Sequence, residues 1–546
     1  MKHFKNKISF LLLLIVVFSA SIRLSFLAKY PSSLYSDEID QGYNAYSILQ
    51  TAKDEHGVFL PASLRSFGDW KPPLPTYLMI PFIYIFGLNE VSVRLPSAIL
   101  GIGTIILTYF LVRKLLRSNR VALLSAFFIA ISPWHILQSR SAMLVMIALF
   151  FLELGIFLFV QSIKNPKLII ASFVSFGLSI YSYYGMRVIT PLVLLMLIFF
   201  YRKNIRFFIK WFAFACFVGF LILLPLFKMF LKEPDVIFGR AKTVSVFYDQ
   251  GVKLRQWELI TQDGINSPPV ISRFFHNNVY MYGRDILQRF LSHFDGRYLF
   301  FIGDKSPPFQ IPNMGILYLA DVVFIFAGLI MFLKSKFAEK YIVLSWFLLS
   351  FFPAALTFMT PSSNRTFNAV VPYMIFIAVG ISLIYKLAYK RILLIGIITF
   401  VYSLSFGYFL RQYFYTLSVQ HADFWNYGWR EVVDYIQKTS DKYDQVVVAD
   451  IGMPYIYFLF YGKYDPYKYQ KEAIRAYVSD QYGFEHVEGF DKYVFVDNFT
   501  WNQLKNNLQP KTLYVVSGKE TVDDDKCLKI INYPDGRNAY KIFAHE

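Results

Sequence analysis

Apolar blocks of about 17–25 residues recur from Ser9 to about Leu410, each the length a helix needs to cross about 30 Å of hydrocarbon. Read in order, they predict helices over 9–28, 94–116, 121–137, 143–162, 168–185, 188–201, 207–231, 314–333, 341–359, 368–386 and 391–410. A further block at Leu74–Gly87 is shorter and carries Pro75 and Pro81. It is too short and too broken for a comfortable span, so an interfacial helix is expected there. Two long segments, 29–93 and 232–313, lie outside the hydrocarbon in this reading, as does everything after residue 410. The tail alternates an amphipathic stretch at Trp429–Lys438 with β-rich runs at Gln445–Ile451, Tyr493–Asp497, Thr512–Gly518 and Lys529–Tyr533. The expected fold is an α-helical polytopic membrane protein of about eleven helices over 1–410, with a C-terminal soluble α/β domain over 411–546.

Composition agrees: 55% of the 546 residues are hydrophobic and only 17% charged, against about 25% charged in soluble domains. The net charge of +18 would admit a nucleic-acid partner if it were spread evenly. It is not. From His421 onward there are 15 Lys and Arg against 19 Asp and Glu, leaving 40 basic and 18 acidic residues in the remainder. The excess therefore belongs to the membrane part and records topology rather than nucleic-acid binding. With Leu74–Gly87 interfacial, the basic loops Arg113–Arg120, Lys164–Lys167, Arg202–Lys210, Lys334–Lys340 and Lys386–Arg391 all fall inside, whereas a span there would put them all outside, against the positive-inside rule. That places a multi-pass chain in the plasma (inner) membrane, its N-terminus cytoplasmic and its tail extracytoplasmic. Cys216 and Cys527 offer neither a disulfide framework nor a metal cluster.

Against this charge rule, three short outer turns each carry one arginine: Arg140, Arg187 and Arg365. A guanidinium at headgroup depth either grips a lipid phosphate or snorkels to the interface. Trp134 and His135 beside Arg140 read as interfacial anchors. In the first outer loop, Ser36-Asp37-Glu38 opens an amphipathic helix, either as an N-cap with two first-turn acids or as a general base at the membrane boundary. Asp69-Trp70-Lys71-Pro72-Pro73 precedes the interfacial helix and holds Lys71 at headgroup level, where it snorkels or meets a phosphate. Glu153 and Asp321 lie within predicted spans, Asp321 about two turns in. They sustain an alternative reading, a transporter or flippase of lipid-linked sugars.

The ordered set Asp37-Glu38, Lys71-Pro72-Pro73-Leu74, Phe86-Gly87 and Arg94-Leu95-Pro96-Ser97-Ala98 resembles the protein mannosyltransferase and aminoarabinose transferase superfamily, the glycosyltransferase family 39-like enzymes of the GT-C fold. Ser132-Pro133 with Arg140, Tyr183 with Arg187, Leu299–Asp304 before Gly315, Asn364-Arg365 and Trp425–Gly428 continue the resemblance. It implies transfer of a sugar, with inversion, from a polyprenyl-phosphate carrier to a hydroxyl of a protein, lipid or polysaccharide on the outer face. Asp37 matches the catalytic aspartate, Glu38 the adjacent acidic position, and Lys71 the lysine that contacts donor phosphate. Arg140, Arg187 and Arg365 are looser matches to headgroup-binding arginines, and Tyr183, His135 and Asp69 are further substrate-pocket candidates. Many relatives carry an acidic residue shortly after the arginine of the Arg140 turn, where this chain has Ser141–Met146. No divalent metal or other cofactor is therefore expected to be required.

Overall fold

The computed structural model describes residues 2–264, 267–449, 452–477, 480, 483–522 and 526–545. The chain divides into two compact units: a helical unit of residues 1–21, 100–138 and 144–409, and a second unit of residues 22–99, 139–143 and 410–546.

Every apolar block expected to span coincides with a helix. Among the described residues, six helical runs are long and apolar enough to cross a membrane, or seven if Asn119–Ile131 and Pro133–Arg140 count as one bent span. The bend of 58° falls where Pro133 can donate no backbone hydrogen bond. The run Met186–Lys232 holds two expected helices, divided at 206–208. Several boundaries differ from expectation: the first helix ends at Leu24 rather than 28, and the 341–359 block breaks into Lys340–Leu349 and Phe352–Ala355. Leu168–Ile180 ends five residues before the predicted 185, and the helix expected from 314 begins only at Asp321. The preceding residues pair elsewhere, with Leu317 N–H donating to the carbonyl of Leu299 (2.9 Å). Asp321 thus starts its helix rather than lying two turns inside it, and its carboxylate accepts from Tyr318 N–H (2.9 Å).

The basic loops of the helical unit are tied to one another. Lys114 Nζ donates to Gln161 Oε1 (2.8 Å), and Lys167 lies over the Trp211 ring (5.7 Å). Arg117 pairs with Glu339 (3.7 Å), while Arg120 and Arg391 lie over Tyr385 (5.0 and 5.4 Å). These contacts gather all five basic loops on one face of the unit, as the alternation of the later spans requires.

The second unit contains a hairpin and a sheet. Strands β1 (Leu64–Ser66) and β2 (Asp69–Lys71) are antiparallel, with Leu64 opposite Lys71. Their two connecting residues, Phe67 and Gly68, both have positive φ, 51° and 85°, the backbone of a type I′ turn. The tail builds strands β3 (Gln445–Ala449), β4 (Ile474–Ala476), β5 (His486–Phe490), β6 (Tyr493–Val496), β7 (Thr512–Ser517), β8 (Cys527–Asn532) and β9 (Asn538–His545). They form a seven-stranded sheet in the order β4-β5-β6-β3-β7-β9-β8, with β3 parallel to β6 and β7 and the other pairs antiparallel. The expected run Gln445–Ile451 is a strand to Ala449, and its last two residues lie outside those described. The Trp429–Thr439 helix appears as predicted.

The core of this unit joins distant parts of the sequence. Ile39, Tyr43 and Ala45 of the Ser36–Thr51 helix and Met79 and Ile83 of the Leu74–Phe86 helix are buried together with Trp429, Val432, Phe458, Phe460 and the inward side of the sheet. Polar contacts reinforce it: Arg65 with Glu485, Arg430 with Glu90, and Tyr43 Oη to the Tyr464 carbonyl (3.1 Å). The first outer loop and the tail are therefore packed as one body.

Candidate active site

The site is built on the first turn of the Ser36–Thr51 helix. The N-cap is Tyr35, one residue earlier than the expected Ser36. Glu38 supplies the capping contact, accepting from Tyr35 N–H (2.9 Å). From this turn Asp37, Glu38 and Asp40 diverge.

Asp37 keeps 44% of its side chain exposed, and its Oδ1 lies 2.7 Å from Lys71 Nζ. Asp40, one helical turn further on the same face, is buried and reaches the same ammonium with Oδ2 at 3.1 Å. Asn44, another turn on, donates Nδ2–H to Asp40 Oδ1 (3.1 Å). Lys71 arrives from the end of β2 and is itself buried. It lies 4.7 Å from the centroid of the Phe67 ring in its own hairpin turn. Burial alone would lower its pKa, but the carboxylates of Asp37 and Asp40 outweigh burial and hold it above the usual lysine value, so it stays an ammonium. Burial raises Asp40, against the pull of Lys71.

Glu38 points the other way. Its two oxygens take Arg94 Nε (3.0 Å) and Nη2 (3.2 Å), and Oε1 also accepts from Ala142 N–H (2.8 Å). Both members of the Glu38–Arg94 pair are fully buried. Arg94 spends its remaining donors on the carbonyls of Leu27, Pro31 and Ser33. In this arrangement Glu38 braces the helix start against Arg94 and Ala142. Arg140 is similarly enclosed. It donates to the carbonyls of Ile22, Phe26 and Tyr30 and to Tyr413 Oη, between the rings of Tyr413 and Phe414. Its donors go to three backbone carbonyls and one phenol hydroxyl. Asp69, half-buried on β2, accepts from the N–H of Trp70 (2.8 Å).

Behind the site lies a second acidic group. Glu55 is buried, with its N–H donating to Asn44 Oδ1 (3.0 Å) and its carbonyl accepting from Arg475 (2.7 Å). Burial, then the nearby Asp40, push its carboxyl up to about 8, and burial pushes the neighbouring Asp54 up to about 6.

Residues 13–237, which include Asp37, Lys71, Arg94 and Arg140, match the family described as dolichyl-phosphate-mannose-protein mannosyltransferase. The whole structure is similar to ArnT from Cupriavidus metallidurans in the apo state, with TM-score 0.57 and 14% identity over 97% of this chain and 97% of that one. The same enzyme bound to undecaprenyl phosphate gives TM-score 0.55 and 12% identity over 99% and 98%. The chain has the GT-C fold. In sequence, the Bacillus subtilis (strain 168) protein named "Putative mannosyltransferase YkcB" is 27% identical over 172 residues, 31% of this chain. That alignment spans only 23% of YkcB.

The other predicted residues belong to the helical unit of this GT-C fold. Arg187 donates Nη1–H to the carbonyl of Val236 (2.8 Å) and lies 5.6 Å from the centroid of the Tyr184 ring. Arg365 donates to Thr357 Oγ1 and the Met359 carbonyl. Burial raises the Tyr183 phenol, and Arg365 and Arg240 pull it back. Trp134 and His135 are buried rather than interfacial: Trp134 Nε1–H donates to the Ser363 carbonyl (3.1 Å), and His135 lies against Phe367. The two carboxyls of the transporter reading have partners of their own. Glu153 accepts from Thr108 (2.7 Å), and Asp321 accepts from Tyr402 Oη (2.6 Å) as well as Tyr318.

Reading the sequence missed Asp40 and Arg94. Asp40 stands three positions after Asp37, which places both on one helix face. Arg94 opened a recognised motif but carried no assigned role.

Proposed function

We propose that this GT-C protein is an inverting glycosyltransferase that moves a sugar from a polyprenyl-phosphate carrier to an acceptor hydroxyl on the outer face of the membrane. One observation carries the reading: a half-exposed carboxylate, Asp37, 2.7 Å from an ammonium, Lys71, that a second and buried carboxylate, Asp40, anchors from behind. The transfer needs a base for the incoming hydroxyl and a cation for the departing phosphate, and these two groups are of those kinds.

In the proposed step Asp37 takes the proton of the acceptor hydroxyl as its oxygen bonds to the anomeric carbon. The bond from that carbon to the carrier phosphate breaks, and its electron pair leaves with the phosphate. Lys71 has three N–H donors. Two are directed at Asp37 and Asp40, and in the proposed step the third turns to the phosphate oxygen as its charge grows. Asp40 is a positioning residue, fixing the ammonium without touching substrate. Lys71 takes the place that a divalent cation would otherwise hold beside the phosphate, so turnover is expected to survive chelation by EDTA. Loss of more than half the turnover on chelation contradicts that part.

The likeness to ArnT bound to undecaprenyl phosphate and to the dolichyl-phosphate-mannose family supports a lipid-linked donor. Mass spectrometry of envelope glycans tests the proposal in cells. Removing the gene is expected to delete one sugar from an envelope glycan, restored by the wild-type chain and not by Asp37→Asn. Full restoration by that variant overturns Asp37 as the base.

A further inference from the structure

The helical unit holds a cavity of about 690 Å³, lined by Phe128, Ile131, Ile395, Tyr402, Phe406 and Gly407 among others. That volume is in the range of ligand sites, about 300–1,000 Å³. The wall is apolar apart from a few hydroxyls such as Ser382 and Thr399. Along one wall the cavity follows its helix from Arg120 to Ile131, roughly 16 Å at the helical rise. This is close to one leaflet, half of about 30 Å of hydrocarbon.

Its mouth is cationic. Arg120 and Tyr385 line it, and the exposed guanidinium groups of Arg120 and Arg391 both lie over the Tyr385 ring, at 5.0 and 5.4 Å. This is also the face on which the five basic loops are tied together. A slot one leaflet deep, apolar within and doubly cationic at its rim, has the chemistry of a lipid with a single acyl chain inserted and an anionic headgroup outside.

We propose that this cavity is a binding site for an anionic phospholipid, with one acyl chain between the helices and the headgroup phosphate on Arg120 and Arg391. The site uses none of the residues of the proposed transfer chemistry. A polyprenyl chain would overrun a slot of this depth, which favours the acyl lipid.

The test uses the full chain in vesicles of phosphatidylcholine with phosphatidylglycerol or undecaprenyl phosphate added, followed by extraction in detergent and native mass spectrometry. The wild-type protein is expected to retain phosphatidylglycerol. Replacing both arginines (Arg120→Gln with Arg391→Gln) is expected to weaken retention by about ten- to thirtyfold, from about 1 kcal/mol per cation at an anionic surface. Gly407→Leu provides an independent arm. A Cβ there meets nothing within 4 Å, and leucine favours a helix over glycine, so the variant fills the cavity without breaking its helix. It is expected to lose the lipid with both arginines intact. Equal retention by both variants overturns the proposal. So does equal retention of phosphatidylcholine, which marks bulk lipid only, or preferential retention of undecaprenyl phosphate, which marks a carrier site.

Discussion

Asp37 and Glu38 are neighbours in sequence, yet the helix sends one toward solvent and the other into a buried ion pair. Glu38→Gln should therefore act on stability, whereas Asp37→Asn should act on turnover. Arg94→Met, which strands the Glu38 charge, should cost about 3–5 kcal/mol of stability, the range for half of a broken buried pair. Thermal unfolding in detergent checks it, and a midpoint equal to wild type would contradict the brace. Glu55 provides a test by pH. Its folded value near 8 lies above the ordinary 4.5, so through that window the folded chain keeps a proton that the unfolded chain releases. Stability should fall as pH rises from about 4.5 to about 8, and Glu55→Gln should flatten that slope. An unchanged slope in the variant would place the titration elsewhere. At this scale Asp37 and Lys71 were singled out by the ordered motifs of the resemblance, while by residue chemistry alone they also read as a first-turn acid and a snorkelling lysine. Arg140 was legible only as a cation: sequence does not reveal that backbone carbonyls consume its donors. Asp40 was hidden because an acid one turn into an amphipathic helix reads as part of a solvated face.

The helix that carries the site is held by close packing as well as by its cap. A Cβ at Gly42 would fall 2.7 Å from both the Phe460 ring and a Val93 methyl, so this helix packs close against the tail helix Tyr455–Tyr461 and against Val93. Gly42→Leu should destabilise the protein by about 1–3 kcal/mol through overpacking, even though leucine is the better helix former. A lower unfolding midpoint is the expected result, and an unchanged one would argue against the close contact. Apolar runs made the long helices legible, since their length is set by the bilayer. Besides the hairpin strands β1 and β2, three strands of the tail escaped. Ile474–Ala476 has only three residues, and β5 contains Gly489, which weakens a strand pattern. In β9, residues 539–543 are buried on both faces, so no alternation marked it. The late start at Asp321 depends on a bond to Leu299, a tertiary contact that no local pattern encodes.

For the whole molecule, the succession of apolar blocks predicted which loops share a face, and the contacts among them agree. Single cysteines at Arg117 and Tyr389, in a chain lacking Cys216 and Cys527, should be labelled by an impermeant reagent from the same side of the membrane. Labelling from opposite sides would break that topology. Sequence did not reveal that the first outer loop and the tail share one hydrophobic core, because residues some 400 positions apart leave no periodic trace of their packing. That shared core supports the helix from which Asp37 and Asp40 meet Lys71. The central claim is that this constellation transfers sugar from a lipid phosphate. Its most direct measurement is release of polyprenyl phosphate from a polyprenyl-phosphate sugar by the purified chain in vesicles with an acceptor extract, comparing wild type with Asp37→Asn. The predicted result is turnover by the wild type, a loss of about 10²–10⁴-fold in the variant, and unchanged binding of the donor lipid. Equal release by both proteins, or release by neither while the donor lipid crosses the vesicle membrane, would contradict it.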